Sequence, residues 1–351
     1  MDETACHEDD ADTFSVIAGG DVLVHPPVTD QALADAGAAG GTEPDFRPIL
    51  AGVKPAVSRA DLAICHLETP LAPVHGPFAG YRRFNAPPQI AAALKDLGFH
   101  TCSTASNHTL DQGEAGVHRT LEELDATGIG HTGSARSAAE ADRLNVIDVK
   151  GVPVAHLSYT YGFNDTALPD GRPWLANLYG DRVLAEARRA RAAGAEAVIL
   201  SMHWGREYQS PPSPRQIRMA AELTAGPEID LVIGHHTHVV QPFERVNGRW
   251  VAYGLGNLIA RHRVPRGSTE EGAMAWFRFV REGGRWRVRS ARCLPVLIEL
   301  DREIRTVDLA AARRDPALPA DRRRRYRQAG DRIRRAALGR GAGNSGLREP
   351  G

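Results

Sequence analysis

The chain has 351 residues, long enough for one large α/β domain or two ordinary ones, and its Lys plus Arg equals its Asp plus Glu at 43 each. That neutrality offers no overall attraction to nucleic acid, and no apolar stretch approaches the roughly 18 residues of a membrane span. Cys6, Cys65, Cys102 and Cys293 lack CxxC spacing, which indicates neither a zinc knuckle nor a disulfide framework.

Segment 1–12 is an acidic tail with no basic and apolar leader pattern, so the chain as given is expected to be cytoplasmic. Apolar runs then alternate with helical periodicity, the pattern of an α/β layered domain. Strands are expected at Phe14 to Gly19, Leu62 to His66, His100 to Thr104, Val152 to Ser158, Ala197 to Met202 and Leu231 to Ile233. Helices are expected at Pro48 to Ser58, Pro87 to Leu97, Glu114 to Thr127, Asp181 to Ala193 and Pro214 to Ala225, several closed by a glycine just past the end. Cys65 and Cys102 lie in the strand runs and read as buried thiols. From Val239 the strand signals crowd together, at Val239 to Val246, Trp250 to Tyr253, Ala273 to Arg281 and Arg285 to Leu297, with turns at Asn247-Gly248 and Gly283-Gly284. These are expected to be antiparallel and to complete a second sheet. One domain thus spans 13–300, and 301–351 reads as an Arg/Ala-rich helix followed by a disordered tail.

The expected strands end in polar residues. Ile229 to Ile233 runs into Gly234-His235-His236-Thr237-His238, and on extended backbone His236 and His238 would share one face. The first strand runs into Asp21 and then His25, the second into His66-Leu67-Glu68-Thr69, the third into Ser106-Asn107-His108 with Asp111 beyond, and a later one into His203. Each has a plain alternative: Asp21 as a turn or cap residue, Glu68 in a surface loop, Asn107 in a left-handed turn, the histidines as a polar loop. Their joint placement favours a metal site, because ligands in open α/β sheets gather at the carboxyl ends of strands. Imidazole, carboxylate and amide ligands suit Zn, Mn or Fe, and the lack of thiolate argues against structural zinc.

Asp21 after paired glycines, Leu67-Glu68-Thr69-Pro70, Ser106 to Gly113, His203 to Tyr208, Gly234 to Pro242 and Tyr253 to Asn257 together resemble the CapA family. These are bacterial capsule, or poly-γ-glutamate, synthesis proteins, similar to calcineurin-like metallophosphatases, and the resemblance covers roughly residues 14 to 300. It implies a two-sheet α/β/β/α sandwich of the metallophosphatase type with two divalent metal ions. By that resemblance Asp21, Glu68 and His238 hold one ion, and Glu68 bridges to a second held by Asn107, His203 and His236. His108 would face substrate as an acid or an electrostatic clamp, with Asp111 either orienting it or capping the next helix. Two positions depart from the metallophosphatase pattern. Leu23 stands where that pattern has a histidine, for which His25 is a candidate substitute, and Glu68 stands where the bridging residue is usually Asp.

A pair of divalent ions roughly 3.5–4 Å apart can share a hydroxide and polarise the centre it attacks. That chemistry suits hydrolysis of a phosphoester or of a γ-glutamyl amide, in a small molecule or an anionic polymer. Arg83, Arg206 and Glu207 are candidate substrate-binding residues, since arginine forks bind carboxylate and phosphate bidentately, although each also reads as surface charge. His235 is read as a neighbour pointing away, and Asn257 as a support for the histidine loop. Two alternatives stand beside the CapA-type hydrolase. One is a soluble tailoring enzyme acting on a small phosphorylated or γ-glutamyl intermediate. The other is a non-catalytic polymer-binding accessory protein whose metal serves structure.

Overall fold

The computed structural model describes residues 12–348, so the acidic tail and Cys6 lie, apart from Asp12, outside the described residues. In chain order the strands are β1 (Thr13–Val22), β2 (Leu62–Leu67), β3 (Thr101–Ser103), β4 (Gly130–Thr132), β5 (Val146–Val149), β6 (Val152–Thr160), β7 (Ala197–His203) and β8 (Leu231–His235). They continue with β9 (Phe243–Val246), β10 (Arg249–Ala252), β11 (Asn257–Ile259), β12 (Glu271–Glu282), β13 (Arg285–Glu299), β14 (Arg305–Asp308) and β15 (Leu347–Arg348).

A nine-stranded sheet runs β14-β13-β12-β1-β2-β3-β4, with β11 beside β1 and β15 beside β13. A six-stranded sheet runs β5-β6-β7-β8-β10-β9. The central pairs β1/β2, β2/β3, β6/β7 and β7/β8 are parallel, which aims their carboxyl ends the same way within each sheet. Side-chain alternation then builds three apolar layers. Val16 and Ala18 of β1 face Ile199 of β7 and Ile233 of β8 between the sheets, while Ile17 packs outward on helix residues Ile90, Leu94 and Leu121. On the other side Val198 and Leu200 pack against Val183, Ala187, Met219 and Leu223. The result is the expected helix/sheet/sheet/helix sandwich, each large buried side chain contributing about 1.5–3 kcal/mol of burial.

Some local expectations change. The helix expected at Pro48 to Ser58 is two single turns, Arg47–Leu50 and Lys54–Val57, and the helix Pro26–Ala38 had no signal strong enough to place it. The late hairpin β12–β13 does not complete the second sheet: β12 pairs antiparallel with β1 and so widens the first. Only β9 and β10 join the second sheet, β10 lying parallel to β8. Hairpin signals specify a local pairing but not which sheet edge receives it.

Cys65 and Cys102 are not separate thiols. They are register partners on adjacent strands β2 and β3, their Cα atoms 4.4 Å apart, and they form a disulfide. Spacing along the chain carried no sign of this, because strand pairing alone brings them together.

Residue 300 is likewise no boundary. β14 pairs with β13, and the helix Ala320–Leu338 buries Tyr326, Ala329, Ile333 and Ala337 in the inter-sheet core. The segment expected to be a disordered tail instead returns as β15 beside β13. Arg325 and Arg332 pair with the buried Glu271, which ties the basic helix to β12. No helix among the described residues is long and apolar enough to cross a membrane.

Candidate metal centre

β1, β2, β7 and β8 deliver Asp21, Glu68, His203 and His235 to one place, each no more than 1% exposed. Close approach there requires glycine. A Cβ on Gly20 would lie 2.3 Å from the Gly256 carbonyl oxygen, and one on Gly234 would lie 1.9 Å from that of Tyr253. The first close approach lets the Asp21 amide donate to Gly256 O at 2.8 Å, which seats Asn257 opposite Asp21.

The histidine triplet converges by a route the alternation argument did not foresee. β8 ends at His235, and His236 (φ 91°) and His238 (φ 55°) both adopt left-handed backbone, a conformation that non-glycine residues take at a cost of about 1–3 kcal/mol each. The bend is held from inside: the His236 amide donates to Asp21 Oδ2 at 3.1 Å. His235, expected to point away, turns in. Its Nδ1 lies 3.1 Å from Asp21 Oδ1 and its ring stacks on His66 at 4.1 Å.

Candidate ligand atoms fall into close groups. Asp21, Glu68 and His238 lie within 4.8 Å of one another, as do Glu68, His203 and His236. Glu68 is shared by both groups. Asn107 Oδ1 lies 2.8 Å from His203 Nε2. Glu207, expected on the substrate side, is exposed yet brings a carboxylate oxygen within the same range of His236 and His238. His25 does not take the place of the histidine missing at Leu23: its Nδ1 accepts from the Arg261 amide at 3.2 Å, and its ring sits between Phe84 and His262. Asp21, His66 and His235 form a further close group.

Polar atoms left without partners test whether cations fit. Both carboxylate oxygens of Glu68, His235 Nε2 and His236 Nδ1 are buried and accept or donate no hydrogen bond. Unpaired buried oxygens of this kind are costly unless a cation or proton meets them. Burial pushes the Glu68 carboxyl well above the usual carboxylate range, against the pull of His238. Burial also opposes the charged form of His238, but Glu68 and Asp21 outweigh it and lift that imidazole to about 9. Asp21 is raised by burial too, yet hydrogen bonds and charge from His235 and His238 hold it well below its ordinary value. Burial and neighbouring imidazoles hold His236 at about 3 and keep His66 and His203 well below the usual range. Neutral imidazoles with free lone pairs around carboxylates are a donor set that fits divalent ions.

Supporting contacts fix the ligands' orientation. His238 Nδ1 faces Asn257 Oδ1 at 3.0 Å, which turns Nε2 toward Glu68 Oε1, 3.8 Å away. Asn257 thus contacts the histidine loop. His66, near the end of β2, lies behind His203. Its Nε2 meets His203 Nδ1 at 3.0 Å and its Nδ1 meets Ser103 Oγ at 2.7 Å. When Ser103 donates onward to the Cys65 carbonyl, this chain leaves the His203 Nε2 lone pair facing the centre. A signal existed: His66 stands two residues before Glu68, at the carboxyl end of β2.

Beside the centre, His108 Nδ1 donates to Asp111 Oδ2 at 2.7 Å, and Asp111 also accepts the Phe84 amide at 2.8 Å. Asp111 therefore orients His108, and the helix Gly113–Thr127 starts after Gln112 without a side-chain cap. Asn164, unremarked in the sequence, accepts from Asn107 at 3.1 Å and lies 3.4 Å from His108 Nε2. Tyr161 packs over His236 at 4.8 Å. Arg83 and Arg206 are exposed and form no ion pair among the described residues; Arg83 immediately precedes Phe84, whose ring meets His108 at 4.8 Å.

A two-sheet sandwich whose parallel strand ends enclose carboxylates, imidazoles and an amide defines a candidate metal centre of the α/β sandwich class. Residues 15–262 match the model of the family described as bacterial capsule synthesis protein PGA_cap, and the chain belongs to that family. It is 30% identical over 180 residues to the capsule biosynthesis protein CapA of Bacillus anthracis, covering 50% of this chain and 43% of that one. It is 31% identical over 209 residues to the PGA biosynthesis protein CapA of Bacillus subtilis (strain 168), covering 56% and 51%. A probable polyglutamine synthesis accessory protein of Mycobacterium tuberculosis (strain ATCC 25618 / H37Rv) is 28% identical over 57% of this chain and 55% of its own. The matches thus span about half the length of these relatives. Among solved structures, the calcineurin-like phosphoesterase YfkN of Bacillus subtilis overlaps 92% of this chain and 98% of its own at 13% identity, with a TM-score of 0.44. That overlap is too loose to bear on function.

Proposed function

We propose that the chain is a metal-dependent hydrolase that cleaves a phosphoester or γ-glutamyl amide in an anionic substrate, in the service of poly-γ-glutamate or related polymer synthesis. The observation that carries this reading is Glu68, whose two buried carboxylate oxygens accept no hydrogen bond and whose carboxylate belongs both to the group with Asp21 and His238 and to the group with His203 and His236. Asp21, Glu68 and His238 would hold one divalent ion; Glu68, Asn107, His203 and His236 would hold a second. Bound there, the ions supply Lewis acidity, activating water near neutral pH and polarising the scissile centre. His108 is the candidate for the proton work: Asp111 accepts from its Nδ1–H and fixes the ring, which leaves Nε2 as the atom that would exchange a proton with the reacting groups. Asn164 and Phe84 limit the ring's rotation. Exposed Arg83 and Arg206 supply positive charge for a carboxylate or phosphate.

The test is metal analysis of purified protein together with turnover of phosphomonoesters, phosphodiesters and γ-glutamyl peptides by reconstituted protein. Glu68→Gln is expected to lose bound metal and activity together, whereas His108→Gln keeps the metal and loses roughly 10²–10⁴-fold in rate. Metal binding with no turnover of any of these substrates would instead favour the accessory reading, in which the ions serve structure.

A further inference from the structure

A cleft of about 520 Å³ opens where the two sheets meet, far from the histidine cluster. Its wall includes Glu196 and Asp230, which stand just before β7 and β8, whereas His203 and His235 end those strands. The length of β7 separates the two places by roughly 20 Å.

The wall is built from the helix Arg182–Ala192, from β10 and from the β12–β13 turn, and its charge is unbalanced. Three arginines are committed to the three acids. Arg188 Nε meets Glu228 at 3.0 Å, Arg191 pairs with Asp230, and Arg281 lies 3.7 Å from Glu196. Glu196 is further engaged by Trp286 Nε1 at 2.9 Å. That leaves Arg249, Arg285 and Arg287 with no ion pair among the described residues. Arg249 Nε is buried without an acceptor, although its guanidinium carries charge felt by Glu228 and Asp230 and donates once to Asn247 O at 3.1 Å. Arg285 and Arg287 are exposed and alternate along β13 with the buried Trp286 and Val288, and all four border the cleft. Three guanidiniums from two separate elements thus border one cleft whose acids are each engaged by another arginine.

We propose that this cleft is a second site, which binds a multiply charged anion through its carboxylate or phosphate groups. Arginine forks suit either chemistry, and a ligand reaching both β10 and the hairpin meets all three unpaired residues. The site does not depend on the reading of the strand-end centre.

Calorimetric titration of the full chain at low salt tests it, with pentaglutamate as the carboxylate probe and tripolyphosphate as the phosphate probe. Saturable binding of either is expected, and the probe that binds more tightly names the chemistry. Arg249→Gln and the double variant Arg285→Gln/Arg287→Gln should each weaken binding roughly tenfold or more. His236→Ala should leave it unchanged. The hairpin pair is exposed and tolerates substitution, so it decides the matter if Arg249→Gln does not fold. Absence of saturable binding with both probes, wild-type binding by the hairpin variant, or loss of binding in His236→Ala would overturn the proposal.

Discussion

Asn257 Oδ1 lies 3.0 Å from His238 Nδ1, and the same amide donates through Nδ2 to Thr269 O at 2.8 Å. The carbonyl of Thr269 can only accept, so the amide's orientation is determined and the proton of His238 sits on Nδ1. Nε2 is then directed at the centre, where a bound cation would take the place of its proton. Asn257→Ala is expected to fold and to lower affinity for divalent metal about 10–100-fold, as loss of such supporting contacts does. Metal titration followed by calorimetry measures this, and unchanged affinity would remove Asn257 from the support of His238.

His156 is buried between Thr101 Oγ1 at 3.3 Å and Ser201 Oγ at 2.9 Å. Burial first, and the charge of His235 second, push its imidazole down to about 3. A depressed value means that the unfolded chain takes up a proton near pH 6.5 while the folded protein does not. The contribution of His156 to stability is therefore complete above that pH and is lost as pH falls toward 3, by about 1.4 kcal/mol per unit. Denaturant melts between pH 7 and 4 should steepen accordingly, and His156→Gln should flatten the profile. An identical slope in the variant would exclude His156 as its source.

The disulfide between Cys65 and Cys102 closes a loop with a sequence separation of 37 and places the pair in the outer apolar layer. Thiol counting on denatured, unreduced protein should leave these two cysteines silent. Reduction should lower stability by about 3–4 kcal/mol on loop-entropy grounds. Full thiol reactivity before reduction would reject the bond.

Ile333, on the C-terminal helix, is buried with Tyr326 and Ala329 against the inter-sheet core. Ile333→Ala should cost about 2–5 kcal/mol, read as a fall in thermal midpoint. Chains ending at residue 300 should expose that core and aggregate. A truncated chain that melts like the full one would restore the boundary expected from composition.

Much of the centre was legible because strands buried on both faces appear as continuous apolar runs, and the polar residues that end them are visible in the chain. Asp21, Glu68, Asn107, His203, His236 and His238 follow from that pattern together with the family resemblance. What local sequence does not carry is strand order, register and sheet membership. Those decided that His66 lies behind His203, that His235 turns inward, and that Cys65 meets Cys102. They also decided that β12 extends the first sheet and that the arginines of β10 and the hairpin share a cleft. The reason is physical: hydrophobic periodicity reports which face of an element is buried, but contacts between elements distant in sequence arise only when the sheets assemble.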